Sequence, residues 1–156
     1  MVSYCLRYPG ALGLIVRKYQ NSLRNSVIPE LQKIVPPSVI YEATNSRFTF
    51  PNGSRIVLGG LKDAQQREKI RSIVGEKGGV DIALMEEATQ MTWDDKEEIE
   101  GRMRGKVAPW QQLGIITNPG HTAHWINQNM ILPVQAGRLK GVSVYRPICE
   151  QNPTLG

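Results

Sequence analysis

The stretch Val80-Asp81-Ile82-Ala83-Leu84-Met85-Glu86-Glu87-Ala88 constrains this chain more than any other, because an apolar run ends abruptly in two adjacent carboxylates and a small residue. Continuous apolar runs belong to strands buried on both faces, so the segment predicts an inner strand of a helix-covered parallel sheet. Its acids then stand at the carboxyl end, the edge where α/β sheets bind ligands. Neighbouring strand residues point to opposite faces, which would give Glu86 and Glu87 different surroundings and different roles. Such a pair suits nucleotide hydrolysis, with one carboxylate holding Mg2+ and the other orienting or deprotonating the attacking water. An ordinary helix N-terminus after a strand, where acids meet the helix dipole, accounts for the same residues.

A second run, Leu113-Gly114-Ile115-Ile116, ends in Thr117-Asn118-Pro119-Gly120. If it pairs beside the Glu86 strand, Thr117 and Asn118 arrive at the same sheet edge, where they could sense a γ-phosphate or the water next to it. Asn-Pro-Gly is also simply a good turn sequence.

The rest of the chain alternates between elements. Val2 to Tyr8 reads as the tail of a helix closed by Pro9-Gly10, and Leu12 to Lys18 as a strand. A helix is expected from about Gln20 to Ile34, with a break or kink at Pro29. Arg47 to Phe50 and Arg55 to Leu58, joined through Pro51-Asn52-Gly53-Ser54, predict a hairpin added to the sheet in antiparallel fashion. Gly59-Gly60 then leads into a polar helix from Asp63, its N-cap, to Ile73. Gly75, Gly78 and Gly79 mark a flexible loop. Further helices are expected over Trp93 to Met103, with Thr92 or Asp94 near its start, and over Thr122 to Met130, followed by a last strand over Gly141 to Tyr145.

Several passages in this order resemble the large terminase subunits of tailed bacteriophages, the ATPase motors that package DNA into procapsids. They are Ile15-Val16-Arg17-Lys18 with Ser22-Leu23-Arg24-Asn25-Ser26, Phe48-Thr49-Phe50-Pro51-Asn52-Gly53-Ser54-Arg55-Ile56, and Glu68-Lys69-Ile70-Arg71-Ser72. Glu86-Glu87-Ala88, Gly101-Arg102-Met103-Arg104, Thr117-Asn118-Pro119 with His124-Trp125, and Gln151-Asn152-Pro153 complete the set. The resemblance implies a RecA-like P-loop NTPase fold of the ASCE type, mostly parallel. It puts Glu86 at the Walker B metal-binding acid and Glu87 at the catalytic carboxylate, with Arg17 on the nucleotide side. Thr117 and Asn118 fall on the segment that couples hydrolysis to movement on DNA. Arg102 and Arg104 match a basic pair, and Arg71 lies where a subunit could offer an arginine to its neighbour's nucleotide. A solvated basic surface is the simpler account of each arginine. The implied ligands are Mg2+ and ATP. The implied partners are double-stranded DNA, a small terminase subunit, a portal and further copies in a ring, in the cytoplasm of a bacterial host.

A phosphate-binding loop needs Gly-x-x-x-x-Gly-Lys-Ser/Thr, whose backbone N–H groups and lysine hold the phosphates. No such motif occurs; Gly101-Arg102-Met103-Arg104-Gly105-Lys106-Val107 is one residue short and ends in Val. By the resemblance this motif belongs upstream, so residues 1–150 read as part of an ATPase domain and 151–156 as the start of a link toward a nuclease domain. As an isolated chain it is expected to hydrolyse ATP negligibly. A non-catalytic remnant that binds DNA or a packaging partner, and another DNA-dependent ATPase core, are the rival readings.

Composition sets outer bounds. The 156 residues, 40% hydrophobic and 21% charged, suffice for one domain with a core and argue against a disordered tail. No apolar stretch approaches the length of a membrane span, and no basic-then-apolar leader opens the sequence. The excess of 19 basic over 14 acidic residues, +5, suits an anionic partner without requiring one. Cys5 and Cys149 form no zinc pattern with His121 or His124 and read as free thiols.

Overall fold

Among residues 1–146, which the computed structural model describes, six strands join in one sheet. They are β1 (Leu12–Arg17), β2 (Ile40–Glu42), β3 (Arg47–Thr49), β4 (Arg55–Gly60), β5 (Ile82–Glu86) and β6 (Gln112–Ile116), ordered β2-β3-β4-β1-β5-β6 across the sheet. The four strands β4-β1-β5-β6 are mutually parallel, while β2 and β3 pair antiparallel at one side. The apolar run at Val80 is thus an inner strand, with β1 on one side and β6 on the other.

The two faces of the sheet are covered by different helices. On one, α2 (Gln20–Asn25) and α3 (Val27–Ile34) contribute Leu23, Val27, Ile28 and Leu31 to a core shared with Ile15, Phe48, Ile56 and Leu58. Gly59 points the other way from Leu58, and a Cβ there would press within 2.9 Å of the Ile70 side chain of α4 (Ala64–Arg71). Glycine at that strand position is what lets α4 lie directly on the sheet. α5 (Trp93–Arg102) follows β5 and buries Ile99. α1 (Val2–Arg7) precedes the Pro9-Gly10 turn, as expected.

At the amino end of the parallel strands the buried Asp81 acts as a staple. Its carboxylate accepts the Leu12 N–H at 2.9 Å and the Val107 N–H at 3.1 Å, which ties the starts of β1 and β5 to the chain leading into β6. A buried carboxylate without such donors would be strongly destabilising.

Several expectations need correction. The break in the first long helix falls at Ser26, whose φ of −125° and ψ of −74° are not helical, and not at Pro29. A proline ring clashes with the carbonyl four residues before it, here Asn25, so the interruption lies upstream and Pro29 sits harmlessly in the first turn of α3. The predicted hairpin exists, but only β3 is an antiparallel addition; β4 is a parallel partner of β1, and β3 has its own outer neighbour, β2. Gly59 and Gly60 belong to β4 and pair with Val16 and Arg17.

Cα packing divides the chain into two compact units, Met1–Asn118 and Pro119–Gly156. In the second, a π-helix at Ile126–Ile131 continues as α6 (Leu132–Gln135), so the helix expected from Thr122 begins later and runs further. The Thr122 carbonyl instead accepts from the Asn127 and Gln128 side chains at 2.7 and 2.8 Å. The last strand expected over 141–145 does not form; that stretch has no regular structure. Gln151-Asn152-Pro153 and Cys149 lie outside the described residues. No described helix is long and apolar enough to cross a membrane.

Candidate functional site

β5 closes on Glu86, paired in register with Ile116 of β6, so the segments that follow the two strands leave the sheet at the same edge. Glu87 immediately adopts a left-handed conformation, φ 55° and ψ 43°, and starts the 3-10 turn Ala88–Gln90. For a residue with a side chain this backbone costs on the order of 1 kcal/mol, and it persists only where the surroundings enforce it. Two contacts do so. Ala88 is completely enclosed, and the Thr89 N–H donates to Thr117 Oγ1 at 3.2 Å while the two threonine hydroxyls lie 3.1 Å apart.

Arg17, the last residue of β1, enters from the other side. Pairing of Val16 with Met85 brings it alongside Glu86, and its Nε donates to Glu86 Oε2 at 2.6 Å. Its Nη2 lies 3.8 Å from Glu87 Oε1. Strand alternation would have sent the two carboxylates to opposite faces. The left-handed turn cancels that alternation by taking Glu87 off the strand, so both acids converge on one guanidinium. Thr117 joins them through Thr89, and Asn118 follows directly in the same unit.

Lys18, next along the chain, turns to the opposite side and donates to the fully buried Asp95 at 3.2 Å. Asp95 also closes a capping box at the start of α5: its own N–H donates to Thr92 Oγ1 at 3.2 Å, and its Oδ2 accepts the Thr92 N–H at 2.9 Å. Arg67 of α4 completes the ring of donors. Burial alone would raise the Asp95 carboxyl. The Thr92 N–H, Arg67 and Lys18 outweigh burial and hold it below the ordinary carboxylate range. The segment from Glu87 to Thr92 is therefore flanked by contacts to two consecutive residues, Arg17 at the end of β1 and Lys18 just past it. Sequence reasoning misses Thr89, Lys18 and Asp95 as site residues, although the Thr-x-x-Asp spacing of the capping box is a readable signal.

The remaining candidate arginines lie elsewhere. Arg71 Nε donates to Glu98 at 2.7 Å and Nη1 lies 3.8 Å from Glu68, on the α4–α5 surface. Arg102 ends α5, its Nη2 donating to the Ile73 carbonyl at 3.0 Å, and its own carbonyl accepts the Val80 N–H. Arg104 follows beside the same end of β5. From Val80 to Glu86 is about 20 Å of extended chain, so within one chain neither Arg102 nor Arg104 stands with the carboxylates.

Residues 1–144 match the family described as phage terminase large subunit. The chain belongs to that family. Similar solved structures are those of the large terminase from a thermophilic bacteriophage. One crystal form has a TM-score of 0.70 at 17% identity, over 88% of this chain and 34% of that one. The ADP complex gives 0.66 at 15% identity over 88% and 34%, and the ATP-γ-S complex 0.63 at 14% over 88% and 33%. At such identities the likeness is one of fold, a terminase-like α/β sheet, and the chain spans about a third of the length of these terminases. No curated protein matches.

No cluster of three or more His, Cys, Asp or Glu side chains able to hold a metal occurs among the described residues. Magnesium characteristically takes one or two carboxylates and completes its shell with water and phosphate oxygens. Glu86, its side chain 25% exposed, is of the kind that can share a cation with a phosphate ligand, and with Glu87, 37% exposed, it forms no closed protein cage.

Proposed function

We propose that this chain is the water- and metal-handling part of the ATPase motor of a terminase large subunit, which drives packaging of double-stranded DNA. The observation that carries this reading is the convergence of Glu86, Glu87 and Arg17 at the carboxyl end of an inner parallel strand, near Thr117 just past the end of the next one. Mg2+, when bound with ATP, would supply charge neutralisation at the phosphate oxygens, and Glu86 is the residue to hold it. Glu87, held off the strand by its left-handed turn, orients and deprotonates the water that attacks the γ-phosphate. The Thr89–Thr117 contact links the Glu87 turn to the end of β6. Thr117 and Asn118 thus carry the change at the phosphate toward the DNA-gripping surface. The solved complexes of the thermophilic phage terminase with ADP and ATP-γ-S support a nucleotide ligand for this fold.

The phosphates themselves would be held by polypeptide outside these 156 residues, which contain no phosphate-loop sequence. A small subunit, a portal and neighbouring copies in a ring are the partners this role entails, in the host cytoplasm. Arg71 is the residue on the α4–α5 surface to be offered to a neighbour. Titration with Mg2+ and a fluorescent ATP analogue checks the reading: the isolated chain is expected to bind negligibly, and a version extended upstream through a phosphate loop to bind with micromolar affinity. Absence of binding in both would favour a non-catalytic remnant.

A further inference from the structure

The contact between Arg17 and the carboxylate pair bears directly on how the site is loaded. We propose that Arg17 is the resident counter-ion of Glu86, and that a divalent cation must displace its guanidinium to reach that carboxylate. The inference rests on the reading of Glu86 and Glu87 as the metal- and water-handling acids. The guanidinium donates to Glu86 Oε2 at 2.6 Å, with its side chain 16% exposed and that of Glu86 25% exposed. Arginine keeps its proton at any relevant pH, so the positive charge cannot be discharged in place. A dication bound to the same carboxylate, at about 2.0–2.1 Å, would stand within a few ångströms of it. In this partly desolvated pocket the repulsion far exceeds thermal energy.

The backbone of Arg17 is fixed by pairing with Gly60, and its neighbour Lys18 by Asp95. Only the side chain is free to turn, and two acceptors can receive it. Glu87 lies 3.8 Å from Nη2, and a nucleotide phosphate would offer a bidentate partner. Metal alone therefore binds against the ion pair. Metal arriving with phosphate gives Arg17 a new acceptor, which makes the two ligands bind cooperatively. Arg17 is on this account a gating residue for the metal site rather than a group that touches the reacting atoms.

The test uses the chain as it is, with Mn2+ alone as the probe and electron paramagnetic resonance reporting free metal. Arg17→Gln is expected to bind Mn2+ about tenfold or more tightly than the unsubstituted chain, from removal of one nearby positive charge. Arg17→Lys, which keeps the charge, is expected to stay near the unsubstituted value, and Glu86→Gln added to Arg17→Gln to abolish the gain. Equal affinities with and without Arg17, both lost with Glu86→Gln, would overturn the gating role and leave the carboxylate site standing. Mn2+ binding undiminished by Glu86→Gln, with or without Arg17→Gln, would overturn both. Should Arg17→Gln fold poorly, the Nε–H resonance of Arg17 in the unsubstituted chain, assigned with Arg17→Lys, answers the same question. It is expected to shift as Mg2+ is added; a resonance unmoved at saturating Mg2+ contradicts the proposal.

Discussion

At Glu87 the identity of a residue and its conformation come from different sources. That two acids end the β5 run is plain from the sequence, and so is their place at the carboxyl edge of a sheet. The left-handed turn that points both at Arg17 depends on the enclosure of Ala88 and on the Thr89–Thr117 bond, a contact between residues 28 apart that local patterning does not reveal. The same holds for Arg17, whose partner is fixed by strand register. Glu42 is a further case, a surface carboxylate with no motif around it. Hydrogen bonds from Arg47, Thr49 and Asn45 hold its carboxyl down at about 2, against an ordinary 4.5. A depressed folded-state value adds stability that is fully present above pH 4.5 and is lost as pH falls through about 2. Comparing urea unfolding of the unsubstituted chain with Glu42→Gln is expected to show a difference at pH 6 that shrinks across that window. A difference independent of pH would contradict the assignment.

Among the elements, those with explicit end signals were legible. Asp63 caps α4, accepting the Gln66 N–H at 2.9 Å, and Thr92 opens α5 with a complete capping box. Where the decisive interaction is steric or distant, legibility falls. Pro29 announced a break but its clash acts four residues upstream, β2 is three residues long and owes its existence to β3, and the alternation at 141–145 does not form a strand. The glycines of this region separate into functional and dispensable ones. A Cβ at Gly79 would overlap the Arg102 carbonyl oxygen, part of the backbone that joins α5 to β5, whereas one at Gly101 in α5 meets nothing within 4 Å. Thermal or urea unfolding is therefore expected to show Gly79→Ala destabilised by about 2 kcal/mol or more. Gly101→Ala is expected to be stabilised by about 0.5–1 kcal/mol. The reverse order would show that the α5–β5 junction is not packed as described.

At the scale of the whole sheet, the parallel strands β1, β5 and β6 were the most legible feature, since apolar runs separated by helices leave few other arrangements, whereas β4, read as half of an antiparallel addition, pairs parallel with β1. The order of strands was not legible, because β1 reaches β4 and β5 by register rather than by adjacency in sequence. This order is what joins Arg17, Glu86 and Thr117 at one edge, and the proposed function rests on that juxtaposition more than on any motif alone. The most direct measurement is ATP turnover by an intact terminase large subunit carrying this segment, compared with its Glu87→Gln variant. Turnover is predicted to fall by about a hundredfold or more, the scale of a lost general base, while affinity for Mg2+–ATP stays unchanged. Undiminished turnover by Glu87→Gln would contradict the account.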